Sequence, residues 1–114
     1  MRTIGSRYEQ KAAAYLQKQG WKVLEWNYRC PLGEIDLIAR KENILAFIEV
    51  KYRQSGLFGT PFSAVDARKQ RKIYQTARWY LSEKQVSPRQ ICRFDVIGFS
   101  GEKLEHLEDA FGGM

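Results

Sequence analysis

Two acids and a lysine stand in apolar surroundings between Gly33 and Arg53, in the run GEIDLIARKENILAFIEVKYR. Asp36 lies inside one apolar run, and Glu49-Val50-Lys51 closes the next. Charges embedded in buried strands are expensive unless they are paired or used. Two carboxylates on neighbouring strands, with a lysine two residues after the second, suit phosphodiester hydrolysis. Magnesium favours hard oxygen ligands, takes one or two protein carboxylates and keeps waters and a substrate phosphate. Asp36 and Glu49 can supply the carboxylates, the Val50 backbone carbonyl a further oxygen, and Lys51 can orient an attacking water or neutralise charge developing on the phosphate. Each part alone is unspecific, since Glu-x-Lys on a strand is usually a solvated face or a weak surface ion pair. A metal–phosphate site and a structural ion-pair arrangement therefore both stand as readings.

The elements that must position these residues follow from period and punctuation. Trp21 to Cys30 has strand composition and ends at the Pro31-Leu32-Gly33 turn; Glu34 to Arg40 and Ile44 to Arg53 follow, joined by the short polar connection Lys41-Glu42-Asn43. Three consecutive strands with short connections predict an antiparallel meander. On the third, Ile44, Ala46, Ile48 and Val50 share one face, while Leu45, Phe47, Glu49, Lys51 and Arg53 share the other, which changes midway from apolar to charged. On the second, Glu34, Asp36 and Ile38 are expected opposite Ile35, Leu37 and Ala39.

Before the strands, Ser6-Arg7-Tyr8-Glu9 fits a capping box, and Tyr8, Ala12, Tyr15, Leu16 and Gln19 fall on one face of a helix from about Arg7 to Gln19, stopped by Gly20. Glu9 has a structural explanation as the capping-box acid. After them, Gln54 to Pro61 reads as a loop with Phe58 exposed, and Ser63 fits the N-cap of a helix running to about Glu83, with Val65, Ile73, Ala77, Tyr80 and Leu81 as its apolar positions. Its basic cluster, Arg68, Lys69, Arg71 and Lys72, lies where positive charge opposes the helix dipole. Such a cluster is either a phosphate site or a solvated face. Gln90 to Phe99 and Lys103 to Leu107 are predicted as the last two strands, with Gly112-Gly113-Met114 a frayed end. Asp95 in the fourth strand is expected to pair with Arg93 or a nearby helix arginine rather than hold a metal, and Gln70 and Tyr74 match a Gln-x-x-x-Tyr spacing too general to carry weight.

At 114 residues and 44% hydrophobic, the chain suits one domain spanning 1–114. No apolar run approaches the roughly 20 residues of a membrane span, and the first residues lack a signal-peptide core, so the expected compartment is the cytoplasm, without membrane association. Cys30 and Cys92 are expected to be reduced, partly buried thiols, and with a single histidine a zinc site is not expected. The formal charge of +6 favours an anionic partner, with nucleic acid foremost.

Gly5-x-x-x-Glu9, Ala12, Tyr15-Leu16, Asn27-x-Arg29, Gly33-Glu34-Ile35-Asp36-Leu37-Ile38 and Glu49-Val50-Lys51-x-Arg53 together resemble the small bacterial YraN family. Phe58-Gly59-x-Pro61, Ala64-Val65, Lys69-x-Arg71-Lys72, Arg93-Phe94-Asp95-Val96 and Ala110-Phe111 extend the resemblance over nearly the whole chain. That family is grouped with the restriction-endonuclease-like superfamily and its archaeal-type Holliday junction resolvases. The resemblance implies an α/β fold in the order α-β-β-β-α-β-β, a central mixed sheet of about five strands flanked by helices. It also implies a divalent-metal nuclease site, in which Asp36 and Glu49 are metal carboxylates, Lys51 the catalytic lysine and Glu9 an additional acid. Magnesium or manganese is the implied cofactor, DNA the implied partner, and Lys69, Arg71, Lys72 and Arg53 the residues expected on phosphates. A homodimer is expected by analogy with the resolvases. Three readings of function stand: an endonuclease acting on DNA, including branched structures; a nucleic-acid-binding module that keeps a nuclease-like fold without cutting; and a protein-docking surface built on the Gly59 loop.

Overall fold

Alanine and leucine at helical spacing build the first element. In the computed structural model, which describes residues 7–53 and 65–111, α1 (Arg7–Lys18) buries Ala12, Ala13 and Leu16 and packs Tyr8 and Tyr15 beside them. Gln19, expected on that face, is exposed beyond the helix end. Gly20 stops the helix with φ +96°, a conformation costly for residues with a Cβ. Its N–H donates to the Gln17 carbonyl and that of Trp21 to the Leu16 carbonyl, closing a Schellman motif. Ser6, the proposed cap, lies outside the described residues.

Five strands follow as one mixed sheet in the spatial order β1-β2-β3-β4-β5: β1 (Lys22–Cys30), β2 (Gly33–Lys41), β3 (Ile44–Arg53), β4 (Ile91–Ser100) and β5 (Lys103–Leu107). β1, β2 and β3 form the expected meander, β4 runs parallel to β3 from Ile44↔Ile91 to Arg53↔Ser100, and β5 returns antiparallel. The parallel pair requires a crossover. α2 (Ala67–Glu83) lies within it, N-capped by Asp66, whose side chain accepts from the Lys69 N–H at 2.9 Å. This corrects the expected start: Asp66 is the cap rather than a residue inside the first turn, and Ser63 lies outside the described residues, as do the Gln54–Pro61 segment with Phe58 and Gly59, and the terminal Gly112-Gly113-Met114.

The sheet carries a core on each face. On the α2 side Ile35, Ile38, Leu45, Phe47, Ile73, Ala77, Tyr80, Phe94 and Val96 pack together; on the α1 side Ala12, Leu16, Trp21, Leu37, Ala39, Ala46, Ile48, Ile97 and Phe99 do. The faces of β3 are as its period predicts. Those of β2 are not: Ile35 packs with the α2-side core, yet Leu37, two residues on, packs with the other. Its partners repeat the change, since Tyr28 (opposite Ile35) joins the α2 side and Trp26 (opposite Leu37) the α1 side. Asn27 lies between them with φ +49°. The two strands therefore turn over together, and Asp36 sits at the point where they do.

Candidate functional site

β2 and β3 pair from Lys41↔Ile44 to Leu37↔Ile48, and beyond that register Asp36 substitutes for a strand partner. Its Oδ2 accepts the Val50 N–H at 2.8 Å, so a carboxylate takes the role that a ladder carbonyl would fill. Glu49 projects on the α2 face and is only 2% exposed. Its Oε1 meets the Lys69 ammonium at 3.1 Å, whereas its Oε2 is buried with no hydrogen-bond partner.

The electrostatics follow from burial. Desolvation, then the neighbouring Glu49 charge, pushes Asp36 up to about 7, against the Val50 N–H and Lys69, which favour the anion. Glu49 is raised as well, chiefly by burial, although Lys69 and Lys51 oppose the shift. Burial, reinforced by the Lys69 ammonium, holds the Lys51 amine below the usual lysine range in spite of Glu49 and Asp36. On Lys69 burial works against charge, but Glu49, contact with Lys51 and Asp36 together raise it. Asp36, Glu49, Lys51 and Lys69 thus form one interacting quartet on β2, β3 and α2.

A cavity of about 510 Å³ opens over Asp36 and Glu49, lined also by Gly33, Glu34, Asp66, Arg68, Lys69 and Lys72. Gly33 sets how closely α2 approaches: a Cβ there would meet the Thr76 Oγ1 at 2.9 Å, and its φ of +156° suits glycine. Thr76 is buried, its hydroxyl donating to the Lys72 carbonyl at 2.8 Å. Close packing at Gly33 therefore sets the depth at which the basic turns of α2 overlie the acids.

The structure gathers Asp36, Glu49 and Lys51, with Val50 tied to Asp36 through its N–H. Glu9 accepts from the Asn27 side chain at 3.0 Å and bears on Asp36 through its charge. Among the described residues, no group of three or more His, Cys, Asp or Glu side chains clusters as a metal cage, so the carboxylate donors here are the pair Asp36 and Glu49. That pair fits a hard cation: the oxygens are carboxylate, and the buried Glu49 Oε2 has no hydrogen-bond donor. Of the basic residues, Lys72 lines the cavity, Arg71 is exposed outside its lining, and Lys69 is spent on Glu49. The Arg53 side chain lies outside the described residues.

Asn27 and Arg68 were not among the expected site residues. Asparagine is among the few residues that tolerate the left-handed conformation Asn27 adopts, and an Asn inside a strand pattern was the available signal. Arg68 precedes Lys69 in the same basic run and lines the cavity. Gln70 bonds the Val65 carbonyl and Tyr74 packs edge-on against Phe94, so their spacing serves the fold.

Asp95 is the other buried acid, and it is fully partnered. Arg93 grips both of its oxygens at 2.9 Å, His106 Nε2 lies 2.7 Å from Oδ2, and the Asp109 N–H donates to Oδ1 at 3.0 Å. Burial works to raise this carboxyl, but His106, Arg93 and Asp109 outweigh it and leave it lowered. Tyr15 meets His106 Nδ1 at 2.9 Å, which fastens α1 to β5 through the same network. Asp95 is therefore structural, as expected from Arg93. Cys30 and Cys92 are both free and partly buried.

The model of the uncharacterised protein family UPF0102 matches residues 8–99. A UPF0102 protein of Lachnoclostridium phytofermentans is 43% identical over 107 residues, covering 94% of this chain and 91% of the relative. One from Fusobacterium nucleatum is 41% identical over 112 residues, covering 98% and 93%. Among solved structures, the Archaeoglobus fulgidus Holliday junction resolvase Hjc superposes with a TM-score of 0.57 at 18% identity, covering 90% of this chain and 74% of that one. At that identity the likeness speaks for the fold alone, a mixed five-stranded sheet with flanking helices. Among the described residues, no helix is long and apolar enough to cross a membrane.

Proposed function

The chain belongs to the uncharacterised protein family UPF0102, the YraN family its motifs resemble, and on that premise we propose that it is a divalent-metal-dependent endonuclease acting on DNA, with branched structures as its substrates. The observation that supports this most is the placing of Asp36 beside Glu49 where β2 and β3 part, one Glu49 oxygen buried without a donor, beneath a cavity to which α2 brings Arg68, Lys69 and Lys72. In this reading Asp36, Glu49 and the Val50 carbonyl hold magnesium or manganese. The cation would activate a water and offset charge on the phosphate.

The remaining roles belong to the chain. Lys51, beside Glu49, orients the attacking water through its Nζ and offsets charge developing on the phosphate as the water oxygen bonds to phosphorus and the leaving oxygen departs with the electron pair of the broken P–O bond. Glu9, bonded to Asn27, acts as the additional acid that fixes the surroundings of Asp36. Lys69, Arg71, Lys72 and Arg53 grip flanking phosphates, with Arg68 added from the cavity lining. A junction offers two strands, so the proposed working form is a homodimer, and the proposed compartment is the cytoplasm. The Lys69 ammonium on Glu49 favours a second reading, a nucleic-acid-binding module that does not cut.

Purified protein incubated with junction, flap and single-stranded DNA in magnesium or manganese decides between them. Cleavage is expected, and its loss in both Asp36→Ala and Glu49→Ala. Binding without cleavage of any substrate would establish the second reading, and cleavage persisting in both variants would identify a contaminant.

A further inference from the structure

Lys69 is attached at both ends. Its backbone N–H is held by the Asp66 N-cap at 2.9 Å, and its ammonium rests 3.1 Å from Glu49 Oε1. Between those points runs a flexible four-carbon stem whose side chain is 43% exposed. The same residue lines the 510 Å³ cavity with Arg68 and Lys72, in the first half of a helix that has no acid in its first turn. The N-terminal end of a helix disfavours cations and favours anions. Lys69 thus stands where a phosphate would be welcome, while its charge is used on a carboxylate.

The charge balance of the quartet decides what a divalent cation would do there. The charges of Asp36 and Glu49 are already matched by Lys51 and Lys69. A dication added to a balanced, largely buried group leaves excess positive charge in a low-dielectric site, which is unfavourable. Moving the Lys69 ammonium away relieves part of that excess and frees Glu49 Oε1, and a substrate phosphate arriving at the cavity offsets the rest. Lys69 is the member suited to move, because it holds the contested oxygen and its stem is half in solvent.

We propose that Lys69 is an exchangeable counter-ion: its ammonium holds Glu49 until a divalent cation takes that carboxylate, and then turns to a phosphate of the nucleic acid in the cavity. Binding of the cation and of nucleic acid is thereby coupled in the favourable direction, and the coupling is reciprocal. Lys69 is a positioning residue in this scheme, and the proposal rests on the metal reading of Asp36 and Glu49.

Two measurements test it. In the wild-type protein, amine acylation read by peptide mass spectrometry is expected to become several-fold faster at Lys69 when calcium is added, with exposed Lys103 unchanged as the internal control. In a manganese titration by calorimetry at about pH 8.5, Lys69→Met is expected to bind about fivefold more tightly than wild type, the scale of a half-exposed ion pair lost as competitor. Lys69→Arg, which keeps the charge, is expected to stay near wild type. Folding of each variant is verified by its thermal melt. If wild type binds manganese but neither the acylation rate nor the Lys69→Met affinity changes, the counter-ion role is wrong while the metal reading survives. If neither wild type nor Lys69→Met binds manganese, the metal reading itself fails, and the proposal with it.

Discussion

Asp36 and Glu49 are charged at a cost to folding, and the cost has a pH signature. Asp36 has a folded-state pKa of about 7 against an ordinary carboxyl value near 4 in the unfolded chain. Between those values the folded protein keeps a proton that the unfolded chain has released, so stability falls as pH rises from about 4 to about 7 and levels off above. Glu49, also raised, adds to the same slope. Asp36→Asn keeps an oxygen for the Val50 N–H and removes the ionisation. Its Tm is expected to decline less than that of wild type from pH 5 to pH 8, as measured by circular dichroism; equal declines would show that Asp36 does not carry the strain assigned to it. At this scale Asp36, Glu49 and Lys51 were legible because period two and the cost of buried charge act within a strand. The partner of Lys69 was not legible, because the contact of α2 with β3 is tertiary and a basic run on a helix gives no sign of which lysine turns inward.

The site depends on how three elements meet, and Gly33 controls one of those contacts. Gly33→Ala would press a Cβ against the Thr76 hydroxyl at 2.9 Å on a backbone with φ +156°, and overpacking of this kind costs about 1–3 kcal/mol. Urea unfolding is expected to show that loss, and Gly33→Ala combined with Thr76→Ala to recover part of it. A neutral Gly33→Ala would mean that α2 is free to shift outward and does not fix the cavity depth. Element boundaries show what sequence reading can reach. The helices, the five strands and the Gly20 stop follow from spacing and punctuation. The face change at Ile35 does not, because Asn27 and Asp36 interrupt the alternation in two paired strands at once, and a single-strand period cannot register that. The start of α2 was misplaced for a local reason: Ser63 and Asp66 are both good caps three residues apart, and the bond from the Lys69 N–H selects the second.

Across the whole molecule, the sheet separates two kinds of buried acid. Asp95, under α1, has every oxygen answered by Arg93, His106 and Asp109, and ties α1 and β5 to the sheet. Glu49, under α2, keeps an oxygen unanswered and opens toward a cavity that Arg68, Lys69 and Lys72 help to line. The mixed five-stranded architecture was legible once the motifs pointed to a family, since the parallel β3–β4 pair cannot be read from either strand alone. A second cavity of about 510 Å³ at the β1–β2 turn shares Gly33, Glu34 and Lys72 with the first and brings Arg29, paired with Glu34 at 3.7 Å, alongside, so the two openings adjoin. The net charge of +6 on 114 residues belongs to the whole chain and favours a polyanionic partner. The proposed site turns on one divalent cation held by the two unequal acids of the α2 side, Asp36 and Glu49. Anomalous diffraction from crystals grown with manganese tests this proposal best: a peak is expected between the Asp36 and Glu49 carboxylates, on the α2 side of the sheet, and a well-ordered structure with no peak there, its Glu49 still held by Lys69 in saturating manganese, would overturn it.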